Sequence, residues 1–303
     1  MAKKRLAIIG ILFGSFNLIQ PLAIAGESAK YSQLSLPEVL ASLNDYGSRY
    51  KELRQKETQL WKDKKYAELI LLWHKIEALK VKQYDINSPE LSFTFYNLGR
   101  VYSLHGNNEK SNNYFEKAVL LYSEKIEKGL TTSSVGQLAN WHYFLGRIGV
   151  YIKDDTLAKN NYASAIRLYK EKQEIKELST SDISRMKRIS RYYWSLLDHS
   201  NAANIWQILL DDRIGKYGNN DGRTAYAYHE LARLYKDRDQ YKMAEKYFNK
   251  SLQSYESSPT IGKSHSVLIN VLTALSSTLR TLLRYDEAEA ALLKVDSRVR
   301  HFR

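Results

Sequence analysis

The chain has 303 residues, 44% of them hydrophobic, with only 4 Pro and 14 Gly, which is ample for a packed core and too little Pro and Gly for a disordered chain. It contains no cysteine, which excludes thiol nucleophiles, thiolate metal ligands, disulfides and lipid attachment through a cysteine. The formal charge is +13, a balance that favours anionic partners without naming one.

In chain order, residues 1–25 stand apart. A basic start, MAKKR, precedes an uncharged apolar run at 6–19; Pro21 breaks it and Ala23-Ile24-Ala25 supplies small residues at the spacing of a cleavage site. The run is short of the roughly 20 residues that span a bilayer, so the expectation is a secretory signal peptide cut after Ala25, with an uncleaved anchor as the weaker reading. Cleavage removes Lys3, Lys4 and Arg5 and leaves Gly26 first on a chain of charge +10. Absence of disulfides points to a bacterial periplasmic or secreted protein, with no transmembrane anchor after cleavage. Residues 26–47 form a lead segment, with a short helix expected in SLPEVLASLNDYG, capped by Ser35 with Pro37 in its first turn.

From residue 48 to 303 one pattern recurs. An apolar–small pair marks each first helix, and a small residue followed four later by a large apolar one opens each second. The units are Leu98-Gly99 with Ser111 and Phe115, Leu145-Gly146 with Ala158 and Tyr162, Ile189-Ser190 with Ala202 and Trp206, Leu231-Ala232 with Ala244 and Phe248, and Leu275-Ser276 with Ala288 and Leu292. A degenerate first unit is read at Ala67 and Leu71 behind a mostly polar helix over about 48–62. The small residues of the second helices are then 44, 47, 44, 42 and 44 residues apart, a regularity that predicts stacked helix pairs. Small side chains let two helices approach where they cross, and the aromatics fill the space beside the crossing. The connections KGLTTSSVG (128–136), LSTSD (178–182), YGNNDG (217–222) and SSPTIGKS (257–264) are polar and turn-forming, and each falls between units.

This pattern resembles tetratricopeptide repeats, most closely around Leu98, Leu145 and Leu231. The usual period is about 34 residues. The longer period here, and the stretch DDRIGKYGNNDGRTAYAYHELARLY, resemble the long repeats of kinesin light chains. The usual proline after each second helix is missing, and Gly149 stands where a tyrosine is usual. The resemblance implies an all-α, right-handed superhelical solenoid of about six helix–turn–helix units. An irregular helical bundle is the alternative.

Chemistry is sparse. There is no phosphate-binding loop and no dinucleotide fingerprint, and HELAR (229–233) has Arg233 where a zinc motif needs its second histidine. The seven histidines are scattered, and no acid pair stands out for hydrolysis, so a non-enzymatic role with no cofactor or metal is expected. One position does stand out. Two residues after the apolar anchor of each first helix come Arg100, Arg147, Arg191 and Arg233, with Lys56 assigned to the first unit and Ser277 to the last. Four residues earlier lie Glu52, Tyr96, Tyr143, Lys187, His229 and Thr273, so Tyr96/Arg100, Tyr143/Arg147 and His229/Arg233 each share a helix face. In the family these sites face a concave groove, and kinesin light chain grooves take acidic, tryptophan-containing peptides. The expectation is a basic, ring-lined binding surface for an acidic peptide or protein segment, serving envelope or secretion assembly, in which Arg suits carboxylates through paired hydrogen bonds. Solvated charge inherited through repeat duplication would give the same pattern. An anionic polysaccharide or cell-wall polymer is the alternative partner, and nucleic acid is disfavoured by the export reading. The final helix has no polar cap behind it, which leads to an expectation of self-association.

Overall fold

The computed structural model describes residues 36–129, 133–258 and 265–300. The cleavage site and Ser35 lie outside them. Among these residues the chain is all helical: α1 (Leu36–Lys62), α2 (Tyr66–Val81), a 3-10 turn (Pro89–Leu91), α3 (Ser92–Leu104), α4 (Asn108–Gly129), α5 (Val135–Ile152), α6 (Asp155–Glu174), α7 (Thr180–Ser195), α8 (His199–Tyr217), α9 (Gly222–Lys236), α10 (Tyr241–Ser257), α11 (His265–Thr281) and α12 (Tyr285–Arg300). Consecutive helices pair as six hairpins, the architecture of an all-α solenoid. The described residues form two compact units: 36–129 and 133 with 140–161, and 134–139 with 162–258 and 265–300.

Every hairpin turns by the same device. The first helix ends on a residue in the left-handed region: Lys64, Gly106, Lys153, Leu197, Asp239 and Leu283, with φ between 54° and 86°. The next N–H then reaches back five residues, as in Asn107 to the Tyr102 carbonyl at 2.9 Å and Gln240 to the Tyr235 carbonyl at 2.9 Å. This closes the last helical turn on its orphan carbonyls, a Schellman cap. The small residue of the second helix follows five residues after the turn, and the small residue of the first helix lies seven before it.

Those small residues meet where the helices cross. A Cβ on Gly99 would lie 2.7 Å from the Phe115 ring. Ser111 donates its hydroxyl to the Gly99 carbonyl at 2.9 Å, and Ser276 donates to the Ala288 carbonyl at 2.8 Å. These two buried hydroxyls are thus satisfied by the facing backbone. Gly149 has its own reason: a Cβ there would stand 2.5 Å from the Ala158 nitrogen, so the third hairpin closes too tightly for the usual tyrosine.

Only one of the six turns uses glycine, although the left-handed conformation costs an ordinary residue roughly 1–2 kcal/mol. Leu197 sits there at φ 58° with its side chain 77% exposed, so it packs on nothing that would offset the strain. Leu197→Gly is expected to raise stability by about 0.5–1 kcal/mol, and Gly106→Ala to lower it by a similar amount. Denaturant midpoints at constant slope measure both.

The first hairpin corrects the sequence register. Ala67 and Leu71 point to solvent, Leu71 at 64% exposure, whereas Leu69 and Trp73 are fully buried. The turn residue Lys64 sets the register, and Leu69 falls five after it as the small residues do elsewhere. The matching position on α1 is Glu57, not a small residue, so this crossing is built from a buried carboxylate that binds Arg54 and accepts from the Trp61 indole at 2.9 Å. In addition, α1 begins by Leu36 and runs through Gly47, so the lead segment and the first repeat helix are one helix from there on.

Each unit has its own core. In the first, Leu69, Trp73, Leu98, Phe95, Phe115 and Ile148 cluster, with many ring–ring contacts. In the second, Ala232, Ala244, Phe248, Val271, Leu275 and Ala288 do so. At the end of the described chain, α12 buries Ala288 and Ala291 and leaves Leu293 60% exposed.

Candidate functional site

The helix boundaries separate charge in a way the repeat pattern alone does not. First helices α3, α5, α7, α9 and α11 carry 10 Lys and Arg against 2 acids, Asp182 and Glu230. Second helices α4, α6, α8, α10 and α12 are balanced, with 16 Lys and Arg against 15 acids. Both acids of the first helices are buried, at 2% and 8% exposure, and both are paired. These five helices therefore present cations to solvent and no carboxylate.

In the first unit the arginines are held by rings. The Arg100 guanidinium lies 3.8 Å from the centre of the Trp61 ring, and its Nε is buried without a hydrogen bond. Arg147 lies 6.0 Å from the Tyr96 ring and 5.4 Å from the Tyr151 ring, and it donates to the Tyr151 hydroxyl at 2.9 Å. Tyr96 and Tyr143 are each 2% exposed and belong to the core, and burial pushes the Tyr96 phenol well above its ordinary value. The Tyr96 ring lies against the Arg147 guanidinium, the Tyr143 hydroxyl accepts from it at 3.5 Å, and both rings are closed to a ligand. Each arginine thus clamps its own first helix to a ring on the preceding first helix, Trp61 on α1 or Tyr96 on α3. Cation–π contacts of this kind contribute about 0.5–2 kcal/mol.

Lys56 falls out of this set. Counted from the turns, the position of Arg100 is occupied in the first hairpin by Thr58, and Lys56 is exposed beside Glu52 at 2.6 Å. The position of Tyr96, Tyr143, Lys187 and His229 is occupied there by Arg54, which stacks on Trp73 and Phe93 at 5.3 and 5.4 Å. A two-residue shift in register hid it from the sequence reading.

The second unit holds the more open group. Arg233 stacks on Trp194 of α7 at 4.4 Å, pairs with Glu230 at 3.5 Å, and keeps 42% of its side chain exposed. Lys187 lies 4.8 Å from the Tyr226 ring and 5.5 Å from the Trp206 ring. Burial lowers the pKa of Lys187, and the nearby Arg213 and Arg191 add to this while Glu230 opposes it. Arg191, one turn along α7, is exposed and takes no hydrogen bond or ion pair. His229 is different: burial, with Arg233 beside it, pushes it down to about 4, so it is neutral near pH 7 and faces the Phe248 ring at 5.8 Å. Lys236 donates to Ser277 of α11 at 2.9 Å. Lys187, Arg191 and Arg233 gather around Tyr226, with Lys187 held on the Tyr226 and Trp206 rings and Arg233 on the Trp194 ring.

Among the described residues no cluster of three or more His, Asp or Glu could hold a metal ion, and no helix is long and apolar enough to cross a membrane.

Comparison with known proteins bears on the hairpins. Residues 94–125, spanning most of α3 and α4, and residues 224–258, spanning α9 and α10, match models described as tetratricopeptide repeat. A comparison with curated proteins finds no match. Among solved structures the chain is similar to BtubC (BKLC) from P. vanneervenii, with 13% identity, a TM-score of 0.52, and coverage of 82% of this chain and 92% of that one. It is also similar to a putative kinesin light chain with TPR-like repeats from Podosopora anserina, at 13% identity and a TM-score of 0.45, covering 84% of this chain and 97% of that one. At such identity the first likeness speaks for the fold alone. The chain is an all-α repeat protein in which two hairpins match the tetratricopeptide repeat by sequence and four more turn by the same cap.

Proposed function

We propose that this protein is a non-enzymatic, exported scaffold that binds an acidic segment of a partner protein along the first helices of its second unit, with Lys187, Arg191 and Arg233 as the principal contacts. The observation that carries this reading is the charge segregation: first helices from α3 onward expose cations only, while second helices are balanced. A long-range field of one sign steers an anionic segment to that side of each hairpin, and guanidinium groups fixed on rings pay little ordering entropy on binding. Arg100 and Arg147, in the first unit, are not among these contacts: the one lies against the Trp61 ring and the other donates to the Tyr151 hydroxyl.

A glutamate-rich peptide is expected to bind the full chain in a salt-dependent way, and to bind more weakly when Lys187 and Arg191 are altered than when surface lysines of α10 are. Equal binding of a sulfated or uronic-acid polysaccharide, insensitive to those two residues, would move the assignment to an anionic polymer.

Export rests on residues 1–25. Mass spectrometry of the protein from its native host is expected to find Gly26 at the N-terminus. Intact Met1 on cytoplasmic protein would remove the export reading and leave the binding reading standing.

A further inference from the structure

A second group of cations lies in the first unit, away from the arginines described above, where the end of α2, the 3-10 turn, α4 and α5 come together. Lys80 donates to the main-chain carbonyl of Glu90 at 2.8 Å, and its ammonium lies 5.7 Å from the Tyr50 ring of α1. Lys125 of α4 has a side chain only 16% exposed; its ammonium lies 5.8 Å from the Trp141 ring and 3.9 Å from the Glu90 carboxylate. Both amines are therefore part-buried around one residue, Glu90, whose side chain is 48% exposed and whose carboxylate is at the edge of ion-pair range from one of them. The neighbouring Arg54 is already neutralised by Glu57.

Charges taken out of water are ordinarily paired, and here one ammonium has a main-chain carbonyl and the other a carboxylate at 3.9 Å. The consequence shows in their proton affinities. Burial lowers Lys80 to about 8; Glu90 works against this, and Lys125 and Arg54 add to it. Burial also lowers Lys125, again with Glu90 opposing. An added dianion would restore both. Lysines act as compact point charges with rotatable donors, which suits a phosphate better than the planar fork that selects a carboxylate.

We propose that Lys80 and Lys125 form a binding site for a phosphate group, walled by Tyr50 and Trp141. The group could be inorganic phosphate or the phosphorylated side chain of a peptide, and the chemistry of capture is the same for both.

The test follows the Trp141 indole resonance of the full chain as inorganic phosphate or a phosphoserine peptide is added, with the unphosphorylated peptide as control. Saturable shifts at millimolar concentration or below are expected, weakened at least tenfold by Lys80→Met and by Lys125→Met, which keep the apolar stems in place. Tighter binding of the phosphopeptide than of phosphate would assign the site to a modified partner, and the reverse order to the free ion. No saturable shift with either probe, or equal affinity in the wild-type and Lys80→Met chains, overturns the proposal. A thermal melt of each variant separates lost binding from lost folding.

Discussion

Asp182→Ala is expected to destabilise the protein by about 3–5 kcal/mol, the usual cost of stripping one partner from a buried ion pair. Asp182 opens α7 and is 2% exposed. Its carboxylate accepts from Lys172 of α6 at 2.6 Å, from Arg185 at 3.2 Å, and from the Ser179 N–H and hydroxyl at 3.0 and 2.8 Å. Ser179 returns the favour by accepting from the Asp182 N–H at 3.2 Å, completing a capping box. One side chain thus caps α7 and ties it to the preceding helix. Alanine would take from Lys172 and Arg185 the carboxylate they share and free the first turn of α7.

The pH dependence has a definite sign. Burial alone would raise the Asp182 pKa, but the hydrogen bonds from Lys172 and Ser179 outweigh it and hold the carboxyl below its ordinary value. A group depressed on folding contributes fully above its unfolded value, about 4, and loses that contribution as pH falls through the lower folded value. The gap between wild type and Asp182→Ala in chemical denaturation should therefore be largest near pH 7 and shrink steadily below about pH 4. A gap that is the same at low pH would mean that the aspartate acts by packing alone. Glu245→Ala serves as the comparison: its pair with Arg284 at 2.7 Å is more exposed, and its loss should cost no more than about 1 kcal/mol.

Much of the fold was legible because the repeat is written in residue sizes. Ser111, Ala158, Ala202, Ala244 and Ala288 are all buried at the crossings the pattern assigned them, as are Phe115, Tyr162, Trp206 and Phe248. Where the chain departs from those sizes the reading slipped. The first hairpin has Glu57 at its crossing and lysines in its turn, so nothing in it marks the register, and its core position is Leu69 rather than Ala67. The same slip put Lys56 in the place of Thr58 and passed over Arg54. A shared helix face also says nothing about depth. Tyr96 and Arg100 are one turn apart, yet the neighbouring first helices bury the tyrosine and leave the arginine at the rim. In a stack of hairpins each first helix is covered on two sides, and an i,i+4 pair can straddle that boundary. The charge segregation was present in the sequence all along, but it becomes countable only once each helix has its ends.

The binding surface is tested most directly by measuring the affinity of the full chain for an eight-glutamate peptide, with its eight-glutamine counterpart as control, by calorimetry at low and moderate salt. The variant pairs Arg191→Glu with Lys187→Met, keeping the lysine stem on the rings of Tyr226 and Trp206. A control variant with the same change in net charge pairs Lys242→Glu with Lys246→Met, both exposed on the second helix α10. Exposed charge contacts are individually weak, but reversing one and removing its neighbour is expected to weaken glutamate binding at least tenfold, or about 1.4 kcal/mol. The account predicts that loss in the first variant, less than a threefold loss in the control, and no binding of the glutamine peptide. Equal losses in the two variants, or no measurable binding of the glutamate peptide by the wild-type chain at low salt, would contradict it.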